Sequence, residues 1–193
     1  MVRDTQAWQA YAKAIAASSA IEVHYTVTVE KGKQQQGVIK ARGPNAIVWI
    51  VQGQSRVVWN GEDGLWVNES MKVYLYFRKK SEFFANCPIT IPGLVPMRGR
   101  FVNSIETSSK SEAGRDLNIV RFGDQGVDTI DFDRWAFDSK TKLPVWVIHQ
   151  WGGIWDRGDG IVRYDVNLFD LAALVGDEDF SLAPPIGYRQ LGE

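Results

Sequence analysis

The side chains of this chain that could do acid–base chemistry are two histidines and a small group of aspartates. His24 and His149 each fall in a predicted strand, at positions that alternate with apolar residues, so we expect both on a solvated face. Asp131 and Asp133 have the same strand parity, which is the arrangement that paired-carboxylate chemistry needs. Acidic side chains beside Arg134 on an outer sheet face are the more common case, and the sequence favours that interpretation.

No catalytic motif accompanies these residues. The sequence contains no G-x-S-x-G nucleophile turn, no G-x-G-x-x-G dinucleotide fingerprint and no phosphate-binding loop. The single cysteine, Cys87, precedes a proline in an apolar segment and is predicted to be a small buried hydrophobe rather than a reactive thiol. We therefore predict that the protein is not an enzyme, and that it has no catalytic residue, no metal site and no cofactor.

Composition narrows the class of protein further. The 22 basic and 23 acidic residues nearly cancel, which argues against a nucleic-acid partner. The 8 Trp, 9 Phe and 6 Tyr residues are too many for a disordered chain. The first residues, MVRDTQAWQAYAKA, lack the apolar core of a signal peptide, so we expect either a cytosolic protein or an exported one whose signal peptide is not part of this sequence.

Periodicity predicts a mainly β protein, with one domain spanning residues 1–193. Strict alternation from Ile21 to Glu30 predicts the first strand, and turn residues at intervals of about ten residues predict an antiparallel meander. A polar loop is predicted at Thr107–Gly114. The predicted segments are, in order, a helix at 5–19, strands from 21 to 77, a cover segment at 79–105, strands from 116 to 168 and a C-terminal tail at 179–190.

The middle of the chain interrupts the meander. Pro88, Pro92 and Pro96 forbid a regular helix or a central strand, yet the segment is too apolar for an exposed loop, so we expect it to cover one face of the sheet. Several strands, among them Ile47–Val51, are apolar at both parities. This surface is either a well-packed core or the lining of an apolar ligand pocket, and periodicity leaves both interpretations open.

Four stretches of the chain resemble the outer-membrane lipoprotein carrier (LolA/LolB-like) superfamily. They are Ser18-Ser19 running into Ile21–Glu30, Arg42–Trp49 with its Pro-Asn, the hairpin Asn60–Val67, and Asp138–Pro144 followed by the tail Asp179–Tyr188. They occur in the superfamily's order over nearly the whole chain. The resemblance implies a mainly β (α+β) fold: a curved, incomplete antiparallel β-barrel with an N-terminal helix and a short helical or loop cover over its concave face.

The resemblance also implies a function, namely that the cavity binds acyl chains of lipoproteins or other lipids. We expect apolar residues of the strands and the cover to hold them. The expected ligand-binding residues are Val23, Tyr25, Val27, Arg42, Ile47, Trp49, Val51, Trp66, Tyr74, Ile91, Leu94, Val95, Met97 and Trp146. Arg42 is expected to meet a polar head group, although the superfamily's carriers have their arginine one position later, where this chain has Gly43.

The leading hypothesis is therefore an exported carrier in the periplasm or cell envelope whose partner is an acyl lipid or a lipoprotein. Two alternatives stay open at this stage. One is an envelope sensor or interaction domain that binds a membrane or envelope protein. The other is a small enzyme on the same scaffold, with an acid–base pair drawn from Asp131, Asp133 or His149.

Overall fold

The structure, a computed structural model, consists mainly of one large sheet with a helix on its concave side. It describes residues 5–28, 34–43, 45–84, 87–95, 103–123, 132–151 and 160–192. Within these ranges, only the backbone is described at 81–82, 103–106, 132 and 151.

The N-terminal helix, α1, spans Gln6–Ala16 and is shorter than the predicted helix at its C-terminal end. Thr5 is the N-cap: its Oγ1 accepts a hydrogen bond from the backbone N–H of Trp8 at 3.3 Å. After the last turn, the hydroxyl of Ser18 donates to the carbonyl of Ala14 at 2.9 Å. This bond satisfies a carbonyl that the helix itself leaves without a partner.

Twelve strands among the described residues form one sheet. They are β1 Ala20–Thr28, β2 Gln34–Arg42, β3 Ala46–Val51, β4 Ser55–Trp59, β5 Gly64–Asn68, β6 Val73–Phe77, β7 Asn103–Glu112, β8 Arg115–Gly123, β9 Phe132–Asp138, β10 Pro144–Trp151, β11 Gly160–Asp170 and β12 Arg189–Gln190. A second helix, α2, spans Lys80–Phe84 between β6 and β7.

Across the sheet the strands run in the order β12-β6-β5-β4-β3-β2-β1-β11-β10-β9-β8-β7. Neighbours are antiparallel, except that β12 pairs with β6 in parallel. The two hairpin series of the chain meet where β1 pairs with β11. The two ends of the sheet stay apart in the described part of the chain, so the curved sheet is not closed. The predicted incomplete antiparallel barrel with an N-terminal helix is confirmed.

The polar loop predicted at Thr107–Gly114 is wrong, because most of it belongs to β7. Its turn to β8 contains Ala113 and Gly114, both with positive φ (50° and 74°). The strand shows no apolar alternation because it lies at the end of the sheet, where the side chains from Thr107 to Lys110 are exposed on both faces. Polar edge strands of this kind are common, since they discourage aggregation.

The concave face carries the main hydrophobic core. Trp8, Tyr11 and Ile15 of α1 form the buried stripe of the helix and pack against inward-facing strand residues. Residues 87–95, which we call the cover, complete this core from the side of α2. Of the segment predicted to form the cover, 79–105, residues 85–86 and 96–102 lie outside the described residues.

The convex face carries a smaller core. Residues 171–190, which we call the C-terminal strap, include a 3₁₀ turn, Asp177–Phe180, and cross β2 to β6 on this face. Phe180 packs against Val48, Val58 and Leu65. Both faces of the sheet centre are therefore covered by protein.

Candidate functional site

The residues predicted on β1, β3 and β5 share the concave face. Val23 opposes Ile39, which opposes Trp49, and the row continues through Val57 to Trp66. Directly opposed residues point to the same side of a sheet. By this register the predicted residues on the concave wall are Val23, Tyr25, Val27, Ile47, Trp49, Val51 and Trp66.

Tyr25 is fixed within this wall by its neighbours. Its hydroxyl accepts a hydrogen bond from the indole N–H of Trp49 at 2.8 Å. Its ring lies directly over Gly37, where an added Cβ would come within 2.1 Å of the tyrosine Cζ. Burial raises the pKa of the Tyr25 hydroxyl above its ordinary value.

The cover and α1 close over part of the wall, whereas Trp49, Val51 and Trp66 are half-buried. Ile91, Leu94 and Val95 are buried in the concave core, whereas Met97 lies outside the described residues. As a consequence, Val23 and Ile47 have a solvent exposure of 0%. A ligand reaches this part of the wall only if α1 or the cover moves.

Three predicted ligand-binding residues lie on the convex face, and this corrects their predicted place. Arg42 forms an ion pair with Asp177, and its guanidinium lies 5.1 Å from the ring centroid of Phe180. Tyr74 belongs to the convex core under the C-terminal strap. Trp146 packs in a separate convex cluster. Strand parity excludes all three from a pocket on the concave side.

The structure also corrects the predicted solvated positions of His149 and Asp133. The two residues face each other across β10 and β9 and are 3% and 2% exposed. Nδ1 of His149 lies 2.5 Å from Oδ1 of Asp133, and Nε2 lies 2.9 Å from the carbonyl oxygen of Pro88 in the cover. The His149 ring also contacts the Tyr164 ring edge-on, with 5.4 Å between centroids.

A histidine beside a carboxylate is a common part of an acid–base centre. Here protein atoms close the pair off from any substrate. A carbonyl oxygen only accepts hydrogen bonds, so Nε2 of His149 carries a proton that it donates to Pro88. Both ring nitrogens are thus occupied by protein atoms, and neither is presented to a substrate. Asp131, the other member of the predicted carboxylate pair, lies outside the described residues. Nε2 of His24 lies on the convex side, 2.6 Å from Oε1 of Glu22, and 41% of the His24 side chain is exposed.

Cys87 begins the cover and is 1% exposed. Burial raises the pKa of its thiol to about 12. Since the thiolate is the reactive form, this cysteine is unreactive while the cover is in place.

A groove of about 670 Å³ lies at the β7 end of the concave face. Its apolar lining comes from Ala7 and Ala10 of α1 and from Ile119 and Val120 of β8. The other lining residues are polar, namely Thr5, Gln6, Thr107, Ser108, Ser109, Asn118 and Lys142. Sequence analysis missed this groove because the β7 residues that line it were taken for a loop. The groove is roughly the size of known small-ligand sites, about 300–1,000 Å³.

Grouped metal ligands and long apolar helices are both lacking among the described residues. Within them, no three His, Cys, Asp or Glu side chains are grouped closely enough to hold a metal ion. No described helix has both the length and the apolar character needed to cross a membrane.

Comparisons with known proteins identify similar structures. No family model matches the chain, and no curated protein sequence matches it. An uncharacterized conserved protein from Thermus thermophilus has a similar structure, with a TM-score of 0.62 and 7% sequence identity, over 96% of this chain and 96% of that one.

Two further similar structures have lower scores. A DUF1329 family protein from Desulfovibrio piger gives a TM-score of 0.47 at 9% identity, over 91% of this chain and 95% of that one. A LolA superfamily protein from Nitrosomonas europaea gives 0.45 at 10% identity, over 92% of this chain and 98% of that one. At these identities the likeness is one of fold alone. The superfamily that the sequence resembles is thus represented among the structures to which this chain is similar.

Proposed function

We propose that the protein is a non-enzymatic carrier of the bacterial cell envelope that binds an acyl chain of a lipid or lipoprotein on the concave side of its sheet. The observation that carries this proposal is the groove of about 670 Å³ between α1 and β7–β8, beside the aromatic core. The resemblance of the sequence to lipoprotein carriers supports the acyl ligand and a periplasmic location.

The chemistry of the groove suits an amphiphile. An acyl chain packs against Ala7, Ala10 and Val120, and its head group stays among the polar lining residues near Lys142. Burial of each methylene contributes about 0.8 kcal/mol, so about ten methylenes supply about 8 kcal/mol before the cost of association. Micromolar binding needs about 8 kcal/mol net, so the cost of association requires apolar contacts beyond these ten methylenes.

The wall beneath the cover is the second part of the proposed site. Val23, Tyr25, Ile47 and Trp49 form an apolar surface that continues from the core around α1. A longer acyl chain extends from the groove onto this surface when the cover moves. Mobile covers over ligand sites are a common device for excluding water.

Two measurements test the proposal. Denaturing organic extraction of the purified protein, followed by mass spectrometry, is expected to release a stoichiometric acyl lipid or lipopeptide. Titration with the fluorescent acyl probe dansyl-undecanoic acid is expected to saturate at micromolar concentration. The proposal fails if extraction yields no acyl compound, even after incubation with a lipid mixture, and the probe shows no saturable binding.

A matched pair of substitutions on α1 locates the site. Ala10→Trp places a large ring in the groove and is expected to weaken probe binding at least tenfold. Ala16→Trp makes the same change at an exposed position of the helix and is expected to leave the affinity within about twofold. Circular dichroism checks that both variants are folded. Equal affinities of the two variants would place the probe elsewhere.

A second candidate function, binding of a partner protein, is favoured by the position of β7. This ten-residue strand ends the sheet, and exposed strand edges bind extended segments of other chains by backbone hydrogen bonds. Saturable binding of an envelope protein, together with a negative result in both acyl measurements, would favour this function over the carrier.

A further inference from the structure

The cover has neither helix nor strand of its own, and two buried side chains hold its backbone. The hydroxyl of Tyr11 on α1 donates to the carbonyl of Thr90 at 2.8 Å. Nε2 of His149 on β10 donates to the carbonyl of Pro88 at 2.9 Å. The two carbonyls are close in sequence but their donors come from different elements. The cover is therefore clamped between the helix and the sheet.

The bond from His149 depends on Asp133. Because Nε2 must carry a proton to donate to Pro88, the contact of 2.5 Å between Nδ1 and Oδ1 of Asp133 needs a proton of its own. Without that proton, a lone pair of the ring would face a carboxylate. The other tautomer would instead turn a lone pair toward the Pro88 carbonyl. The hydrogen bond to the cover and the bond to Asp133 therefore form together, with one proton on Nε2 and another between Nδ1 and Oδ1.

The surroundings make this arrangement costly to lose. Asp133 and His149 lie within the concave side, next to Phe122 and Tyr164, with almost no exposure to water. A buried polar group that loses its partner has no solvent to replace it. A shift of the cover that does not admit water leaves the His149 nitrogen and the Pro88 carbonyl buried without a partner, so the pair favours the closed state.

We propose that Asp133 and His149 form a latch that holds the cover closed over the concave wall and so controls access of an apolar ligand to Val23, Ile47 and Trp49. The role in ligand access rests on the proposed carrier function, whereas the latch itself is a property of the fold. Within the latch, His149 contacts the cover directly, and Asp133 is a positioning residue that fixes the His149 ring.

Cys87 provides a direct readout of the latch. It is the only cysteine of the chain, it begins the cover, and it is 1% exposed. Alkylation of its thiol requires the cover to open. The rate of labelling by iodoacetamide in native buffer therefore measures opening without any lipid in the sample.

His149→Phe removes the bond to Pro88 while keeping a ring of similar shape, and it is expected to raise the labelling rate at least tenfold. Asp133→Asn keeps the latch, because an asparagine amide donates to Nδ1 of a neutral histidine and leaves the proton on Nε2. Its labelling rate is expected to stay within about threefold of wild type. His24→Phe changes the exposed histidine beside Glu22 and is the matched control with no expected effect.

Urea separates local from global opening. Labelling through a local movement of the cover changes little with urea below the unfolding transition, whereas labelling through global unfolding rises steeply. The latch is supported if His149→Phe labels faster with a flat urea dependence. It is overturned if His149→Phe labels at the wild-type rate, or if its faster labelling follows global unfolding.

The acyl probe tells failure of the latch from failure of the carrier function. If dansyl-undecanoic acid binds but His149→Phe does not change Cys87 labelling, the latch is wrong and the carrier function stands. If labelling behaves as expected but no variant binds the probe, the latch stands and the carrier function is wrong. If both are right, His149→Phe binds the probe with a faster association rate than wild type.

Discussion

On the concave face the sheet is covered by α1 and the cover, and on the convex face by the C-terminal strap. The concave contacts are aromatic: Trp8 meets Phe122 and Trp135 edge-on, with centroids 5.4 and 5.6 Å apart. The convex contacts combine a smaller apolar core with ion pairs near the solvent, among them Lys40 with Asp179 at 2.9 Å.

The strap and the cover are held on the sheet by different kinds of contact. The strap is held by a small apolar core together with charges that water and salt can reach, and each such ion pair adds little stability. The cover is held by buried hydrogen bonds and apolar contact, whose loss is costly but confined to one segment. A face that admits a ligand needs this second kind of closure, because the bonds re-form only in one arrangement.

The largest expected effect comes from the aromatic contact on the concave face. Trp8→Ala removes a ring that is packed against Tyr11, Phe122, Trp135 and Phe137. Such a truncation leaves a cavity in the core and is expected to lower the free energy of unfolding by about 3–5 kcal/mol. Urea unfolding followed by circular dichroism measures this change.

Lys13→Ala on the exposed side of the same helix is the control for Trp8→Ala. It is expected to change the free energy of unfolding by less than about 0.5 kcal/mol. A loss of less than about 1 kcal/mol in Trp8→Ala would show that α1 is not part of the core. The contrast between the two faces would then have to be abandoned.

A smaller effect is expected from the buried thiol under the cover at alkaline pH. Burial raises the pKa of Cys87 to about 12, against about 8.5 for a thiol in an unfolded chain. The folded protein therefore keeps a proton that the unfolded chain loses. The stability from this difference is complete below about pH 8.5 and falls as pH rises toward 12, by about 1.4 kcal/mol per pH unit at most.

Comparison of wild type with Cys87→Ala between pH 9 and 10 isolates this effect. Burial is the main cause of the raised pKa of Tyr11 and of Tyr25, and the charge of an ionised Cys87 adds a smaller effect, so the contributions of the two tyrosines largely cancel between the two proteins. The free energy of unfolding of wild type is expected to fall more steeply with pH than that of Cys87→Ala. Parallel curves would mean that the thiol is not sealed by the cover.

Much of the fold could be predicted from periodicity, because alternation along β1 and turn residues between the strands are local signals. β7 was missed because a strand at the end of a sheet needs no apolar face, so it leaves no alternation to detect. The parallel pairing of β12 with β6 was missed as well. It joins segments far apart in sequence through two residues, and no local pattern encodes it.

The candidate site was harder to predict, for a related reason. Alternation tells which residues share a face, as it did for Val23 and Trp49, but it does not tell which face is buried when both parities are apolar. Pro144–Trp151 is such a strand, and His149 was therefore assigned to solvent. The contact of His149 with Asp133 depends on the register of β9 against β10, and no local sequence pattern reveals that register.

The smallest expected effect belongs to the convex face. Lys40→Met keeps the aliphatic stem of the side chain but removes the ammonium that bonds Asp179 at 2.9 Å. The two side chains are 23% and 19% exposed, so the pair is partly screened, and its coupling energy is expected to be below about 1 kcal/mol. A double-mutant cycle with Asp179→Asn measures that energy, since it cancels the separate bond between Asp179 and the backbone of Gly176.

In about 1 M NaCl, where the screening length is about 3 Å, the coupling between Lys40 and Asp179 should nearly vanish. The loss in Trp8→Ala should persist in the same salt, because apolar burial does not depend on charge screening. Equal salt sensitivity of the two changes would mean that both faces are closed by the same kind of interaction, and the distinction between strap and cover would fail.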